Sequence, residues 1–238
     1  MSSRPNEFAL TNNFEFEALK QAENYRKRLL LEFGPHLQGD VIEVGAGIGQ
    51  ITTQVAALPT VKSVLAIEPD PEFCEMFKPG VPDIPLIRGT VSALSGDSAW
   101  NAIVSINVLE HIKEDAEELA RYARLLSKRK GRLCLFVPAR PEIYAPIDKD
   151  FGHFRRYLKP ELKQKLDDAG FNIVRLQYFN VTGYFAWWLN FCVLKKRKFE
   201  VGSVRLFDRV IFPVTSTVES WLPAPPFGQS LLVVAEAK

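Results

Sequence analysis

A glycine-rich turn is the segment of this sequence best suited to hold a ligand. The glycines of residues 43–50, EVGAGIGQ, follow the apolar run Val41–Val44. Glycines at such a turn let the backbone pass close to a ligand, and a helix that begins there directs free N–H groups towards it. The spacing is GxGxG, and Gln50 stands where a dinucleotide fingerprint would have its third glycine. The turn therefore predicts an adenosine-containing ligand, with NAD the less favoured one.

An acidic residue marks the end of the second predicted strand. Glu68 directly follows the apolar run Val64–Ile67, roughly twenty residues beyond the glycine turn. A carboxylate at this place can accept hydrogen bonds from both hydroxyls of a ribose. The structural alternative is a tight turn beside an exposed acid at a strand end.

A polar loop after the fifth apolar run holds the candidate acid–base residues. Within residues 138–157 it carries Asp148, His153, Arg155, Arg156 and Tyr157. Ligands of open α/β sheets bind at the carboxyl ends of the strands, so this loop can orient an acceptor and take up its proton. We predict His153 as the base, with Asp148 and Tyr157 as its catalytic partners. The alternative is structural: Asp148 pairs with Arg155 or Arg156 to pin the loop, and His153 caps a turn.

The elements that must position these residues alternate between short apolar runs and helical segments, which is typical of a parallel α/β sheet. Five runs read as strands buried on both faces: 41–44, 64–67, 85–87, 102–106 and 132–137. Helices are predicted over Phe14–Phe33, with inward positions at Phe16, Leu19, Tyr25, Leu29 and Leu30, and over 50–57, 71–77 and 115–127.

The pattern changes after the polar loop. A helix is predicted over Pro160–Ala169, followed by strands Phe171–Phe179 and Ser230–Ala237. Roughly fifty residues separate these two strands, where a hairpin would need only a few. We therefore predict a doubly wound domain with a cap, built from this insertion and the N-terminal helix. The boundaries are a single domain over 1–238, with an N-terminal helical cap at 1–39, a cofactor-binding core at 40–179, an acceptor-side insertion at 180–229 and the last strand at 230–238.

The insertion is aromatic and then basic. Tyr184, Trp187, Trp188 and Phe191 would share one face of a helix, and the run Lys195–Lys198 follows them. Three interpretations stay open: packing of the cap against the sheet edge, an apolar lid over an acceptor, or contact with anionic lipid at a membrane surface through residues 184–198.

Composition narrows the class of protein. The 238 residues are 47% hydrophobic and 24% charged, with a net charge of +2, which excludes a disordered chain and argues against a nucleic-acid partner. Three widely spaced cysteines favour neither a disulfide framework nor a zinc site, and fit a reducing setting. The N-terminus has no apolar segment typical of a secretory signal, and 179–194 is too short and too polar to span a membrane. We expect a cytoplasmic protein, with peripheral contact at the inner membrane face as the alternative.

At these residues the sequence resembles the class I S-adenosylmethionine-dependent methyltransferases. VIEVGAGIGQ at 41–50 is similar to their first motif, and Glu68 to their ribose-binding acid. IVSINVLEH at 103–111 resembles the end of their fourth strand, and the glycine at 131 their turn into strand five.

A bacterial subgroup of that family resembles the rest of the chain. PARPEIYAPIDKDFGHFRRY at 138–157 is similar to its pattern VPA…D…GHyRRY. The subgroup also has counterparts of Asn24-Tyr25, of Ala169–Phe171, of the Gly-aromatic-Trp stretch 183–188 and of PFGQSL at 226–231. The likeness is specific for the fold and much less so for the acceptor.

The resemblance implies a Rossmann-like, doubly wound, seven-stranded sheet with an antiparallel last strand, and S-adenosyl-L-methionine as the cofactor. It implies these cofactor-binding residues: Tyr25, Glu43, Gly45, Ala46, Gly47, Gly49, Glu68, Pro69, Thr90, Val91, Asn107 and Val108.

Two positions depart from the family's pattern, and a third bears on metal binding. Thr90 stands where an acid usually contacts the adenine amino group, so this contact should be weaker. Asn101 replaces the acid that opens strand four, a position we interpret as structural. Some quinone methyltransferases bind a metal through an acidic cluster that ends in Glu-His, as at Glu110-His111. Because Asn107 replaces the first acid of that cluster here, we predict no metal.

The sequence thus predicts an enzyme that moves a methyl group to an oxygen or nitrogen of a small, partly apolar acceptor. Two alternatives are a methyltransferase of lipid-linked or glycan acceptors at the membrane face, and a non-catalytic protein that binds the cofactor.

Overall fold

Seven strands form one sheet in the computed structural model of the chain, which describes residues 21–78, 83–95, 99–221 and 223–238. The strand order is β3-β2-β1-β4-β5-β7-β6. Strands β1 to β5 are parallel, and β7 is antiparallel to both β5 and β6. This topology confirms the predicted doubly wound α/β fold with its antiparallel last strand. The strands are β1 Gly39–Val44, β2 Val61–Glu68, β3 Leu86–Arg88, β4 Ala102–Ile106, β5 Arg132–Pro138, β6 Phe171–Phe179 and β7 Ser230–Ala237.

Helices cover both faces of the sheet. Their bounds are α1 Glu23–Phe33, α2 Gln50–Ala56, α3 Pro71–Met76, α4 Asp115–Ser127, α5 Pro146–Asp150, α6 Lys159–Asp168, α7 Val181–Trp187, α8 Val201–Leu206 and α9 Phe212–Trp221. Two π-helical segments continue helices of the insertion: Trp188–Val193 follows α7, and Phe207–Ile211 joins α8 to α9. No helix in these described ranges is long and apolar enough to cross a membrane.

Alternate residues of the central strands supply two separate cores. Ile42 and Ile103 pack with α4 on one face, whereas Val41 and Val104 pack with α1 on the other. This is the pattern of strands buried on both sides. Strand β2 begins at Val61 rather than at Val64, because its exposed, polar start still pairs with Gly39 of β1.

Helix α1 covers the second half of the predicted N-terminal helix. Leu29 and Leu30 are buried as predicted, whereas the predicted inward residues Phe16 and Leu19 lie outside the described residues. Tyr25 is half-buried, and its ring meets those of Phe136 and Phe179 edge-on. The helix thus brings a tyrosine to the carboxyl end of the sheet.

The insertion is helical and is pinned at both of its ends. Asn180, in the left-handed conformation, accepts a hydrogen bond from Gly183 N (2.8 Å) and donates one to Gln229 Oε1 (2.9 Å). A Cβ on Gly228 would lie 2.6 Å from the carbonyl oxygen of Phe179, so only glycine allows this approach. These contacts give the glycines at 183 and 228 a structural role.

One face of α7 packs against the polar loop. Trp187 and Phe191 are buried with Ile143 and Phe151, and Trp187 Nε1 donates to the carbonyl oxygen of Ile143 (3.1 Å). Trp188 is exposed, so the prediction that it shares this face is wrong. The reason is that the helix becomes π-helical at Trp188, which changes the angular spacing of its residues.

A buried carboxylate joins the insertion to α1. Asp208 accepts hydrogen bonds from the backbone N–H groups of Asn24 (3.0 Å) and Tyr25 (2.9 Å). The amide of Asn24 also donates to the carbonyl oxygen of Asp208 (3.0 Å). Because the first N–H groups of a helix have no partner inside it, Asp208 acts as an N-cap supplied from another part of the chain.

We predict that Asp208→Ala lowers the free energy of unfolding by about 1–3 kcal/mol, because two backbone donors at the start of α1 lose a charged acceptor. Urea denaturation measures the change. The control is Asp167→Ala, which removes an exposed ion pair with Lys163 and should cost under about 0.5 kcal/mol. Equal losses in the two variants would contradict the capping role.

Candidate functional site

The glycine turn is fixed between two strands and the loop that follows β4. The backbone N–H groups of Gly45 and Ala46 donate to the carbonyl oxygen of Ile67 (2.9 and 3.0 Å). Gly45 has φ of 76°, and a Cβ there would lie 2.3 Å from Cγ2 of Val108. Only glycine therefore fits, because both the conformation and the space exclude a side chain.

The Glu68 carboxylate lies directly against this turn. Its Oε2 accepts from the backbone N–H of Gly47 at 2.8 Å, and its Oε1 accepts from that of Asp70 at 2.9 Å. Glu68 is buried, and this burial raises the pKa of its carboxyl. Each carboxylate oxygen has a second lone pair, so both can still accept a hydrogen bond from a ligand.

A cavity of about 540 Å³ lies over the glycine turn and Glu68. Nine of the predicted cofactor-binding residues line it: Tyr25, Glu43, Gly45, Ala46, Gly47, Glu68, Pro69, Asn107 and Val108. They come from α1 and from the carboxyl ends of β1, β2 and β4, which is where ligands of open α/β sheets bind. The volume lies within the range of small-molecule sites.

Three of the predicted cofactor-binding residues do not line this cavity. Gly49 lies at the start of α2 with φ of 90° and shapes the turn through its backbone. Thr90 is exposed and its hydroxyl is hydrogen-bonded to that of Ser92 (2.7 Å), whereas Val91 is buried in the core. Contact of Thr90 and Val91 with an adenine stays a prediction.

The cavity also has walls that the sequence analysis missed. Arg26 and Phe73 line it from α1 and α3, and Phe151 lines it from the loop after β5. His111, named above with Glu110, lines it from the loop after β4. Arg26 directly follows the predicted Tyr25, and Phe73 lies five residues after Glu68. Their closeness in sequence to these predicted residues could have indicated that they line the cavity. Phe151 belongs to the polar loop that was predicted at this end of the sheet, but nothing in the sequence distinguished it from the loop's other residues as a cavity wall.

Glu43 is the most perturbed acid of the cavity. It is buried at the end of β1, and burial is the main cause that raises its pKa to about 8, with the nearby Glu68 carboxylate adding to the effect. Its Oε2 has no hydrogen-bond partner among the described residues. A buried, unpaired oxygen in a cavity wall is a place where a polar ligand group would gain a partner.

A second cavity of about 420 Å³ adjoins the first and shares with it Ala22, Tyr25, Asn107 and Phe151. Its other walls come from the polar loop, with His153 and Arg156, and from the helices of the insertion. The two cavities therefore meet where the N-terminal helix, the end of β4 and the polar loop converge.

Asp148 organises the polar loop from a fully buried position. One oxygen, Oδ1, lies 3.0 Å from Nδ1 of His153 and accepts from Nε of Arg156 at 2.9 Å. The other accepts from the backbone N–H of Ala145 at 2.8 Å. These partners hold the pKa of Asp148 below its ordinary value despite its burial. The structure therefore contains the predicted ion pair that pins the loop, between Asp148 and Arg156. It also contains a contact between Asp148 and His153, as predicted.

Tyr157 takes a different place from the one predicted for a catalytic partner. Its hydroxyl donates to Oδ2 of Asp115 at 2.9 Å, and its side chain is buried in the core rather than in the wall of either cavity. Asp115 also pairs with Arg155 (2.7 Å) and Lys165 (2.9 Å). These charged groups hold Tyr157 under the loop, and a catalytic role for Tyr157 stays a prediction.

Three side chains of types that can bind a metal meet between the two cavities. Donor atoms of Glu110, His111 and His153 lie within 4.8 Å of one another, and the two imidazole rings pack edge-on at 4.6 Å. Burial and the neighbouring His153 lower the pKa of His111 to about 3, so its ring is neutral. The prediction that no metal binds here remains untested.

The chain is an α/β protein with a cavity at the carboxyl edge of its sheet. The family model described as "Methyltransferase domain" matches residues 18–176, which is two thirds of the chain. The chain therefore belongs to the methyltransferase domain family.

One protein of known sequence and two solved structures are similar to this chain. An uncharacterized methyltransferase of Exiguobacterium sibiricum is 25% identical over 162 residues, covering 62% of this chain and 73% of that protein. The S-adenosylmethionine-dependent methyltransferase of Mesorhizobium loti has 15% identity and a TM-score of 0.58, covering 89% of this chain and 95% of its own. The cyclopropane synthase MmaA2 of Mycobacterium tuberculosis has 14% identity and a TM-score of 0.58, covering 88% and 83%. At these identities the two structures show the shared fold alone.

The raised pKa of Glu43 predicts a pH dependence of stability. The folded chain keeps a proton on this carboxyl up to a pH of about 8, whereas the ordinary pKa of 4.5 lets the unfolded chain release it. Between these values the unfolded state binds fewer protons, so the contribution of Glu43 to the unfolding free energy falls as pH rises, by at most about 1.4 kcal/mol per unit.

Glu43→Gln removes this titration, so the variant should gain stability relative to the wild type as pH rises through that window. Urea denaturation at a series of pH values measures it. A stability difference between the two proteins that does not change with pH would contradict the assignment.

Proposed function

We propose that the chain is an S-adenosylmethionine-dependent methyltransferase that acts on an oxygen or nitrogen of a small, partly apolar acceptor. The observation that carries the proposal is the Glu68 carboxylate, hydrogen-bonded to Gly47 N in the wall of a cavity that adjoins a second one lined by His153. The proposed domain boundaries follow the same division, with the cofactor on the core 40–179 and the acceptor against the insertion 180–229.

The residues of the first cavity fit this cofactor. Glu68 has free lone pairs for the two ribose hydroxyls, and the glycine turn leaves space for a ligand close to the backbone. The unpaired Oε2 of Glu43 suits a polar group of the methionine portion. When bound, the cofactor supplies a methyl group already activated by a positive sulfur.

The second cavity offers a place for the acceptor next to the proposed cofactor site. Tyr25, Asn107 and Phe151 belong to both cavities, so they lie at the passage through which a methyl group would move. Aromatic side chains of its wall, among them Trp187 and Phe191, could pack against an apolar part of the acceptor, and a fixed acceptor loses less entropy on reaction. Localisation in the cytoplasm is part of the same proposal, since three widely spaced cysteines fit a reducing setting.

His153 is the proposed general base. The Asp148 carboxylate at 3.0 Å fixes the ring through Nδ1, which directs Nε2 away from Asp148. A histidine oriented in this way can accept a proton from a hydroxyl or amine as its methyl group arrives. Asp148 is a positioning residue, because it reaches the acceptor only through His153.

We predict that the wild type binds S-adenosylhomocysteine in isothermal titration and that Glu68→Gln weakens binding about 10- to 100-fold, because one acceptor oxygen becomes a donor. Gly47→Arg should abolish binding, since its side chain would enter the cavity from a backbone with φ of 54°. The control is Glu72→Gln, an exposed acid of α3 outside the cavity walls. Equal affinity in all four proteins would refute the cofactor site.

We predict that His153→Asn lowers kcat about 10²- to 10⁴-fold while the affinity for S-adenosylhomocysteine is unchanged, because only the proton acceptor is lost. The readout is transfer of a tritiated methyl group from the cofactor to products of a cell extract. His36→Asn, in the connector before β1, is the control. Activity of His153→Asn equal to that of this control would rule out His153 as the base.

A further inference from the structure

The outer face of the insertion carries a row of exposed apolar side chains. Residues 201–221 form one continuous helix through α8, a π-helical segment and α9. Within α9 the exposed residues Val214, Val218 and Trp221 recur at spacings of four and three, which places them on one face. Leu206 and Val210 are exposed in the two turns that precede them. We call this set the outer stripe: Leu206, Val210, Val214, Val218 and Trp221.

The exposure of the outer stripe is large. Leu206 is 58% exposed, Val214 is 64% exposed and Trp221 is 80% exposed. The opposite face of the same helix is the one that packs on the protein, through Asp208 and Phe212. The helix is therefore apolar on a face that the rest of the described chain does not cover.

The preceding helix of the insertion, α7, also exposes a row of apolar side chains. From α7 into its π-helical continuation, Phe185, Trp188, Leu189 and Val193 are exposed, whereas Trp187 and Phe191 turn inward. Single exposed apolar residues need no explanation, but rows on two helices of one insertion mark an interaction surface.

Charge indicates what this surface meets. Residues 185–221 contain six Lys and Arg against three Asp and Glu. Two of the acids face inward: Asp208 caps α1, and Glu219 accepts from the backbone N–H of Val181 (2.9 Å). The exposed acid, Glu200, is paired with Lys196. Arg197 is paired with Asp150 of α5, so the excess of cations comes from the other basic residues of this range. Exposed aromatic and aliphatic residues beside an excess of cations complement an anionic lipid surface.

The second cavity opens on the same surface. Leu206 and Ile211 line the cavity and are also exposed, so they lie at its rim. Lys196 and Lys198 belong to its wall as well. An acceptor held in a bilayer could therefore enter the cavity without crossing water.

We propose that the insertion docks on the surface of an anionic phospholipid membrane through the outer stripe, and that the acceptor is an amphiphile drawn from that membrane into the second cavity. The statement about the acceptor rests on the proposed function. The docking surface itself does not, because it is defined by exposure and charge alone. The helix lies on the membrane rather than spanning it.

The test is sedimentation of the full chain with sucrose-loaded vesicles of phosphatidylcholine and phosphatidylglycerol. The wild type should pellet with these vesicles, less so at high salt, and not with vesicles of phosphatidylcholine alone. Val214→Gln/Val218→Gln should weaken the partition about tenfold. The matched control is Leu31→Gln/Val174→Gln, which changes two exposed apolar residues outside the insertion and should pellet like the wild type.

Binding of S-adenosylhomocysteine to each variant keeps the two proposals apart. If the insertion variant binds S-adenosylhomocysteine normally but no longer pellets, the variant is folded and the result supports docking. Lost binding by the wild type would overturn the proposed function while leaving the pelleting result valid. Membrane docking would be overturned if the wild type did not pellet, or if the insertion variant pelleted as much as the wild type. It would also be overturned if the wild type formed a dimer that the insertion variant did not form, because the outer stripe would then be a contact between two copies of the chain.

Discussion

The contact between the Glu68 carboxylate and the Gly47 N–H is the interaction on which the rest of the site depends. It joins the tip of β2 to the turn after β1 across 2.8 Å and forms part of the wall of the first cavity. A buried carboxylate is costly unless it is hydrogen-bonded, and two backbone donors offset that cost. The same geometry leaves lone pairs on both oxygens, so the group that fastens the turn is also the group that can bind a ribose.

Buried carboxylates fasten the second cavity in a related way. Asp208 caps α1 and thereby fixes the helix that carries Tyr25, while Asp148 holds His153 and Arg156 in the polar loop. The Arg156 guanidinium in turn lies 4.3 Å from the Trp187 ring of the insertion. Charged groups thus connect the polar loop, the insertion and the N-terminal helix around the second cavity. The partners named for these groups belong to the chain itself. An acceptor would meet a largely preformed site, which reduces the entropy lost on binding.

Much of the fold could be predicted because its signals are local. Five short apolar runs and two further strand patterns predicted the seven strands, and the glycine turn with Glu68 placed the first cavity at the carboxyl end of the sheet. Contacts between distant segments could not be predicted in this way. Nothing near Asp208 in sequence indicates that it caps a helix 184 positions away, and the burial of Tyr157 on Asp115 depends on how α4 and α6 pack. The exposed side of Trp188 followed from a π-helical segment, for which the sequence has no clear signal.

A crystal structure of the chain with S-adenosylhomocysteine tests the central claim most directly. The account predicts that both ribose hydroxyls contact the Glu68 carboxylate and that the sulfur faces the passage between the two cavities, beside Asn107 and Phe151. A ligand bound elsewhere, or a ribose whose hydroxyls contact solvent while Glu68 touches only Gly47 and Asp70, would contradict it.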